Sequence, residues 1–208
     1  MRHSPYKVVK MFEETVADYC GSKYAVSTDN CTDALLICCS YLKVKEVTIP
    51  SRTYLSVPQS IMHAGGTVKF RDYDWSGAYQ LEPYPIWDAA KRFTSNMYIP
   101  GSFMCLSFHI KKNLKIGKGG MILTDDADAA AWFKRLRYEG RGECMYHEDS
   151  IKLNGYNAYM TPEQAARGLS LMQNYPDHVP DVPFDDQELM YRDLREFPLF
   201  KNCETVEE

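Results

Sequence analysis

Between Tyr24 and Phe70 short apolar runs alternate with helical segments, and that rhythm limits the chain more than any other feature. Residues 24–26 read as a strand, 32–42 as a buried helix, 44–49 as a strand, 54–64 as a helix and 67–70 as a strand, with Gly65-Gly66 turning into the last. Strand, helix and strand at this spacing define an α/β chain. An amphipathic helix over 8–19 precedes the pattern, stopped by Gly21. Further strands follow at 84–87, 103–108 and 119–124, then a helix over 125–138 that begins with acidic residues suited to a helix N-terminus. Residues 139–160 read as a loop. Thr161 and Pro162 supply an N-cap and a first helical residue for the next helix. After Gln173 the prolines at 176, 180, 183 and 198 interrupt an acidic stretch, so the chain divides into a domain over 1–173 and a Pro-rich, acidic tail over 174–208, with one short helix expected at 186–196.

Composition narrows the function classes. The 208 residues are 45% hydrophobic and 25% charged, enough for one real core. Twenty-four basic and 28 acidic residues give a net charge of −4, which argues against nucleic-acid binding through a global basic surface and leaves only a local patch open. Seven cysteines show neither metal-ligand spacing nor a disulfide framework, so reduced thiols, a cytoplasmic location and no metal site are expected. The first eleven residues lack the apolar centre of a signal peptide, and no apolar run is long enough to span a bilayer, so no membrane partner is expected.

Four segments carry candidate chemistry. Ser107 to Gly120 lies between two strands and holds Lys111, Lys112, Lys115 and Lys118; a lysine fixed there among other cations can lose its proton and act as a nucleophile, although a solvated basic turn has the same composition. Asp88 closes a short strand, which puts a carboxylate at the carboxyl edge of the sheet where α/β proteins bind ligands; as an alternative it caps the segment that follows. Asn30-Cys31-Thr32-Asp33-Ala34-Leu35 offers backbone N–H groups and a hydroxyl at a helix N-terminus, either for an anion or for ordinary capping. Tyr54 could lie against a flat ligand or belong to the core.

Taken in order, these segments resemble the DegT/DnrJ/EryC1/StrS family of pyridoxal-phosphate enzymes, mostly sugar aminotransferases of the aspartate-aminotransferase fold (fold type I). The resemblance runs from about Phe12 to about Met172. Phe12-Glu13 and 19–26 are similar to the family's lead-in to its first phosphate turn, and 30–35 to its Asn-Gly-Thr-x-Ala-Leu element, with Cys31 in place of glycine. Trp87-Asp88-Ala89-Ala90 is similar to its acid-Asp-x-Ala element. Ser107-Phe108-His109, Lys112 and Gly117-x-Gly119-Gly120 are similar to its Schiff-base lysine segment, and Gly155-Tyr156-Asn157, Met160, Gln164-Ala165-Ala166 and Gly168 to a later motif.

The resemblance implies a mostly parallel central sheet with helices on both faces, the large domain of the family, without most of its N-terminal segment and without its small C-terminal domain. It implies pyridoxal 5'-phosphate as an aldimine on Lys112, with Asp88 on the ring nitrogen. Cys31, Thr32 and Ser107 are expected at the phosphate, Tyr54 on the ring and Lys91 near the phenolic oxygen, while Asn157 reaches the phosphate of the neighbouring subunit of a homodimer. Three departures stand out: Lys91 where the family usually has glutamine or histidine, Lys118 in place of a glutamate, and Tyr159 in place of an arginine.

Three functions are weighed. The first is amino transfer to a keto-sugar, nucleotide-linked, from a small-molecule amino donor. The second is a pyridoxal-phosphate decarboxylase or lyase acting on an amino-acid-bearing substrate, including a modified nucleotide or nucleic-acid base that Lys111, Lys115, Arg135, Arg137 and Arg141 would contact through phosphates. The third is a non-catalytic scaffold, which the presence of both Lys112 and Asp88 makes the weakest.

Overall fold

The computed structural model describes residues 6–183 and 191–206. Helix α1 (Lys7–Cys20) turns its apolar stripe, Val9, Phe12, Val16 and Ala17, inward and stops at Gly21, whose left-handed backbone (φ 80°) suits a residue without Cβ. Strand β1 (Tyr24–Thr28) leads to α2 (Cys31–Leu42), β2 (Glu46–Pro50), α3 (Ser56–His63) and β3 (Thr67–Arg71). A hairpin of β4 (Tyr79–Gln80) and β5 (Ile86–Asp88) follows, then β6 (Phe103–Ser107), β7 (Gly120–Thr124), α4 (Ala127–Leu136) and α5 (Pro162–Met172). Asp126 caps α4 through the amides of Asp128 and Ala129, and Thr161 with Gln164 forms a reciprocal capping box on α5. A last short strand, β8 (Glu204–Thr205), comes from the tail.

The strands form two sheets, ordered β1-β7-β6-β5-β4 and β2-β3-β8, with a bridge between Thr48 and Glu82. The α/β fold with helices on both faces is as expected, but the pairing is more evenly mixed than a mostly parallel sheet. The β5–β6, β2–β3 and β3–β8 pairs are parallel, and the β1–β7, β7–β6 and β5–β4 pairs are antiparallel. The cause is local: a loop without a crossover helix joins β6 to β7, and neighbours joined that way run antiparallel.

Alternate residues of the first sheet enter different cores. Ala25, Met104, Leu106, Met121 and Leu123 pack with α1 and α5, whereas Val26, Phe103, Cys105 and Ile122 pack with α2 and α4. Phe12 and Phe108 meet in the first core and Phe103 and Phe133 in the second, each fully buried large side chain contributing about 1.5–3 kcal/mol.

The register sets one edge of the first sheet as the place for chemistry. Thr28 and Ser107 both face Gly120, and Asp88 faces Cys105, so the carboxyl ends of β1, β5 and β6 meet there. Gly120 is required at this point, because a Cβ would run into the Asn30 carbonyl.

The tail packs along both sheets. Tyr175 lies between Tyr19 and Phe93, Arg92 holds Asp181, and Leu194 and Phe200 are buried. Of the short helix expected at 186–196, residues 186–190 lie outside the described residues; the remainder contains one 3-10 turn, Leu194–Glu196.

Candidate active site

Asp88 is only 5% exposed. Its Oδ1 accepts the Ala90 N–H at 2.9 Å and its Oδ2 accepts the Tyr79 hydroxyl at 2.9 Å. Tyr79, carried by the hairpin partner β4, is braced in turn by the Thr53 hydroxyl at 2.5 Å. No described helix begins at Asp88, but its Oδ1 does cap the turn that follows, which the Arg92 amide closes on the Ala89 carbonyl at 3.0 Å. Burial raises its carboxyl above the usual range, against the opposing pull of the Ala90 amide, Lys112, Tyr79 and Lys91. Among the described residues no lysine or arginine nitrogen lies within ion-pair distance of it. Each oxygen holds one donor and has room for another. A buried carboxylate in that state suits a cationic N–H partner, which a protonated pyridine ring provides.

Lys112 sits at the turn of the β6–β7 loop. Phe108 and Ile110 exchange backbone hydrogen bonds with Gly117 and Gly119, and the Lys112 amide donates to the His109 carbonyl at 2.8 Å. Buried Leu114 and Ile116 anchor the far limb in the core. Lys111 and Lys115 are exposed, whereas Lys112 is half-buried and its charge acts on Asp88, Lys91 and Cys31. Of these three lysines, Lys112 is thus the one least open to solvent. Lys91 is the perturbed amine: burial first, then the Lys112 charge, lowers it to about 8 despite the pull of Asp88.

The Thr32 hydroxyl, in the first turn of α2, meets the Ser56 hydroxyl of α3 at 2.7 Å, and Ser60 donates to the Thr32 carbonyl at 3.0 Å. Ser107 stands at the end of β6, its hydroxyl accepting the His109 N–H at 3.4 Å. Asn30 does cap α2, accepting from the Asp33 amide at 2.8 Å, which leaves the Thr32 hydroxyl outside the cap. Burial pushes the Cys31 thiol well up, with Asp88 adding to it. Hydroxyls at an α2 N-terminus beside a strand end suit a phosphate. These donors and the Asp88 carboxylate therefore fit pyridoxal phosphate at both its ends.

Other expectations are placed differently. Tyr54 is 55% exposed, outside the core, with its ring 6.4 Å from that of Tyr191. Asn157 is exposed and donates to Glu139 at 2.7 Å, on the loop after α4. Arg137 is corrected: it is not a phosphate contact but is 7% exposed and bound to Glu13, because Glu13 on the inner face of α1 requires a buried cation. The Ser27 amide and hydroxyl also donate to Glu13, each at 2.9 Å. Two of the departures have local partners: Lys118 bonds Asp29 at 2.8 Å, and Tyr159 packs edge-on to Tyr6 and Tyr138.

No local pattern marks Tyr79, in a two-residue strand, or Tyr191, in the tail. Glu13 did leave a trace, an acid set in the apolar stripe of α1 between Phe12 and Val16. Among the described residues no group of His, Cys, Asp and Glu could hold a metal ion, and no helix is long and apolar enough to cross a membrane.

An α/β fold with a buried carboxylate, a loop lysine and paired hydroxyls on one strand edge is the arrangement of fold-type-I, pyridoxal-phosphate-dependent aminotransferases. A solved DegT DnrJ EryC1 StrS aminotransferase from Brucella abortus superimposes with a TM-score of 0.79 at 17% identity, covering 99% of this chain and 81% of that one. PseC of Helicobacter pylori, an aminotransferase involved in pseudoaminic acid biosynthesis, does so with a TM-score of 0.68 at 18% identity, covering 82% of this chain and 58% of that one. The chain belongs to the DegT/DnrJ/EryC1/StrS aminotransferase family, whose sequence pattern matches residues 2–99 and 99–203. A GDP-perosamine synthase of Caulobacter vibrioides is 28% identical over 215 residues, covering 81% of this chain and 57% of that protein. A UDP-2-acetamido-2-deoxy-3-oxo-D-glucuronate aminotransferase of Pseudomonas aeruginosa is 25% identical, covering 86% and 62%. The chain thus spans little more than half the length of these curated relatives.

Proposed function

We propose that this protein is a pyridoxal-phosphate-dependent aminotransferase that moves an amino group from a small amino donor to a nucleotide-linked keto-sugar. The observation that carries the reading is the placing of Asp88 and Ser107 at the ends of the paired strands β5 and β6, with Lys112 on the loop that leaves β6 and the Thr32–Ser56 hydroxyl pair at the α2 N-terminus. The names of the relatives, a GDP-perosamine synthase and a UDP-linked sugar aminotransferase, support the substrate class.

Pyridoxal phosphate, when bound, supplies an electron sink for the carbon that bears the substrate amine. Asp88 accepts and holds the proton on the ring nitrogen, its carboxylate oriented by Tyr79 and the Ala90 amide. Thr32 and Ser107 would donate to the cofactor's phosphate, with Cys31 in the same turn, Tyr54 would flank its ring, and Lys91 would supply a cation near its phenolic oxygen. Lys112 would hold the cofactor through its Nζ and, once that amine is free, would act as the base that moves a proton to and from the substrate carbon. Asn157, on an exposed loop, serves the phosphate of a second subunit in a homodimer.

The decarboxylase or lyase alternative retains one observation in its favour, the low-pKa Lys91 amine beside Lys112, which changes the charge near the phenolic oxygen. Product analysis with pyridoxal phosphate and a panel of amino acids separates the two: pyridoxamine phosphate supports transfer, carbon dioxide the alternative. Borohydride reduction should fix the cofactor on the peptide of Lys112; labelling of Lys111 or Lys115 instead would overturn the site.

A further inference from the structure

Tyr191 comes from the tail and ends among the residues read as the cofactor's ring site. Its ring stacks on Trp75 at 6.1 Å and 26°, meets Tyr54 edge-on at 6.4 Å, and carries the Lys91 ammonium 4.8 Å from its centre. Trp75, on which the Tyr191 ring stacks, also meets Tyr79 edge-on at 4.7 Å, and Tyr79 is the phenol that donates to Asp88. Two of the groups assigned to the cofactor, Tyr54 and Lys91, thus bear directly on the Tyr191 ring, and Trp75 and Tyr79 link it to a third, Asp88.

The tail holds it there. The buried Leu194 donates its N–H to the Ser51 carbonyl at 2.9 Å, Arg195 bonds both Asp193 and Asp72, and Phe200 packs on Phe70. Strand β8 then pairs with β3. The position of Tyr191 is therefore fixed by contacts outside the site.

We propose that Tyr191 is a built-in occupant of the cofactor ring's place, which has to leave before pyridoxal phosphate can bind. The inference rests on the reading that Asp88 and Lys112 hold that cofactor. Two aromatic rings cannot share the space, and the cation on Lys91 favours the occupied state by lying over the Tyr191 ring. Cofactor affinity is then reduced by the fraction of molecules whose ring has moved out.

The test is a titration of the full chain with pyridoxal 5'-phosphate, followed by the cofactor's visible absorbance, with circular dichroism to confirm that each variant is folded. Tyr191→Ala should bind at least about tenfold more tightly than the natural protein, and Tyr191→Phe within about twofold of it, since the ring and not the hydroxyl occupies the space. Leu194→Asp, which undocks the segment without touching the site, should also bind more tightly. In stopped flow the natural protein should show a binding rate that levels off with cofactor concentration, and Tyr191→Ala a rate that stays linear. Equal or weaker binding by both Tyr191→Ala and Leu194→Asp would make Tyr191 a wall of the site and overturn the proposal, while cofactor on Lys112 would leave the aminotransferase reading standing. Failure of every variant to take up the cofactor would overturn both.

Discussion

Among the described residues two carboxylates are buried, Glu13 inside α1 and Asp88 at the end of β5, and they are held in opposite ways. Burial works against the charge of each. At Glu13, Arg137, the Ser27 amide and Lys134 outweigh it, and the carboxyl is held below its ordinary value of 4.5. At Asp88 the amide, the phenol and two more distant lysines do not, and the carboxyl rises above its ordinary 3.8. Glu13 has Arg137 as its counter-ion, whereas the Asp88 oxygens are met by an amide and a phenol. Under the proposed function, the first is a structural charge and the second the one held ready for the cofactor.

The largest effect should come from breaking the satisfied pair. Arg137→Met leaves Glu13 buried without its cation and should lower stability by about 3–5 kcal/mol in urea unfolding; a loss under about 1 kcal/mol would show that Lys134 and Ser27 suffice. Asp88→Asn should leave stability at neutral pH equal or higher, yet lower the rate of the cofactor-dependent reaction by roughly a hundredfold or more, comparable to removing one strong electrostatic contact from a site. A near-natural rate with cofactor bound would reduce Asp88 to a loop-fixing role.

Acid unfolding sharpens the contrast through its sign. Glu13 has a lowered folded pKa, so its contribution is complete above pH 4.5 and fades as pH falls through the lower folded value. Asp88 has a raised folded pKa, so its protonated form favours folding below pH 3.8 and that advantage disappears as pH rises through the folded value. Going down in pH, the natural protein should therefore lose stability relative to Glu13→Gln and gain it relative to Asp88→Asn; parallel profiles would contradict the assignment.

The smallest effect concerns Lys91, half-buried and lowered from 10.5 to about 8. Below pH 8 the folded state bears the cost of its charge, and between pH 8 and 10.5 that cost disappears as the folded form releases its proton first. Lys91→Met should melt roughly 2 °C above the natural protein at pH 7, with the gap closing by pH 10. A constant gap would place the effect in packing.

How far the sequence could be read follows from the range of each interaction. The places of Asp88 and Ser107 at strand ends and of Thr32 at the start of α2 were legible because local alternation sets where strands and helices end, while their roles, and that of Lys112, rest on the family resemblance. Glu13 and Arg137 were half legible: the acid in the α1 stripe demanded a cation, but nothing local chose Arg137 over Lys134 or Arg135, and Arg137 alone resembled a solvated charge. Tyr191 and β8 were not legible at all, since their partners Trp75 and β3 lie far back in the chain and prolines made the segment look extended and solvent-facing. The mixed pairing of the sheet was missed for a related reason, as the direction of β7 depends on how the β6–β7 loop folds back on itself.

The pairing of β8 with β3 has a consequence for biosynthesis. Strands β2 and β3 leave the ribosome early, but the outer edge of β3 obtains its partner only when Glu204 and Thr205 have been made. At the usual pace of translation that interval is on the order of ten seconds. For that time β3 is an open edge, the kind that recruits strands from other nascent chains. Lys69, in the middle of β3, stands on that edge and later bonds Glu204 at 2.9 Å, so the residue that completes the sheet is also the one whose charge deters strangers while it waits.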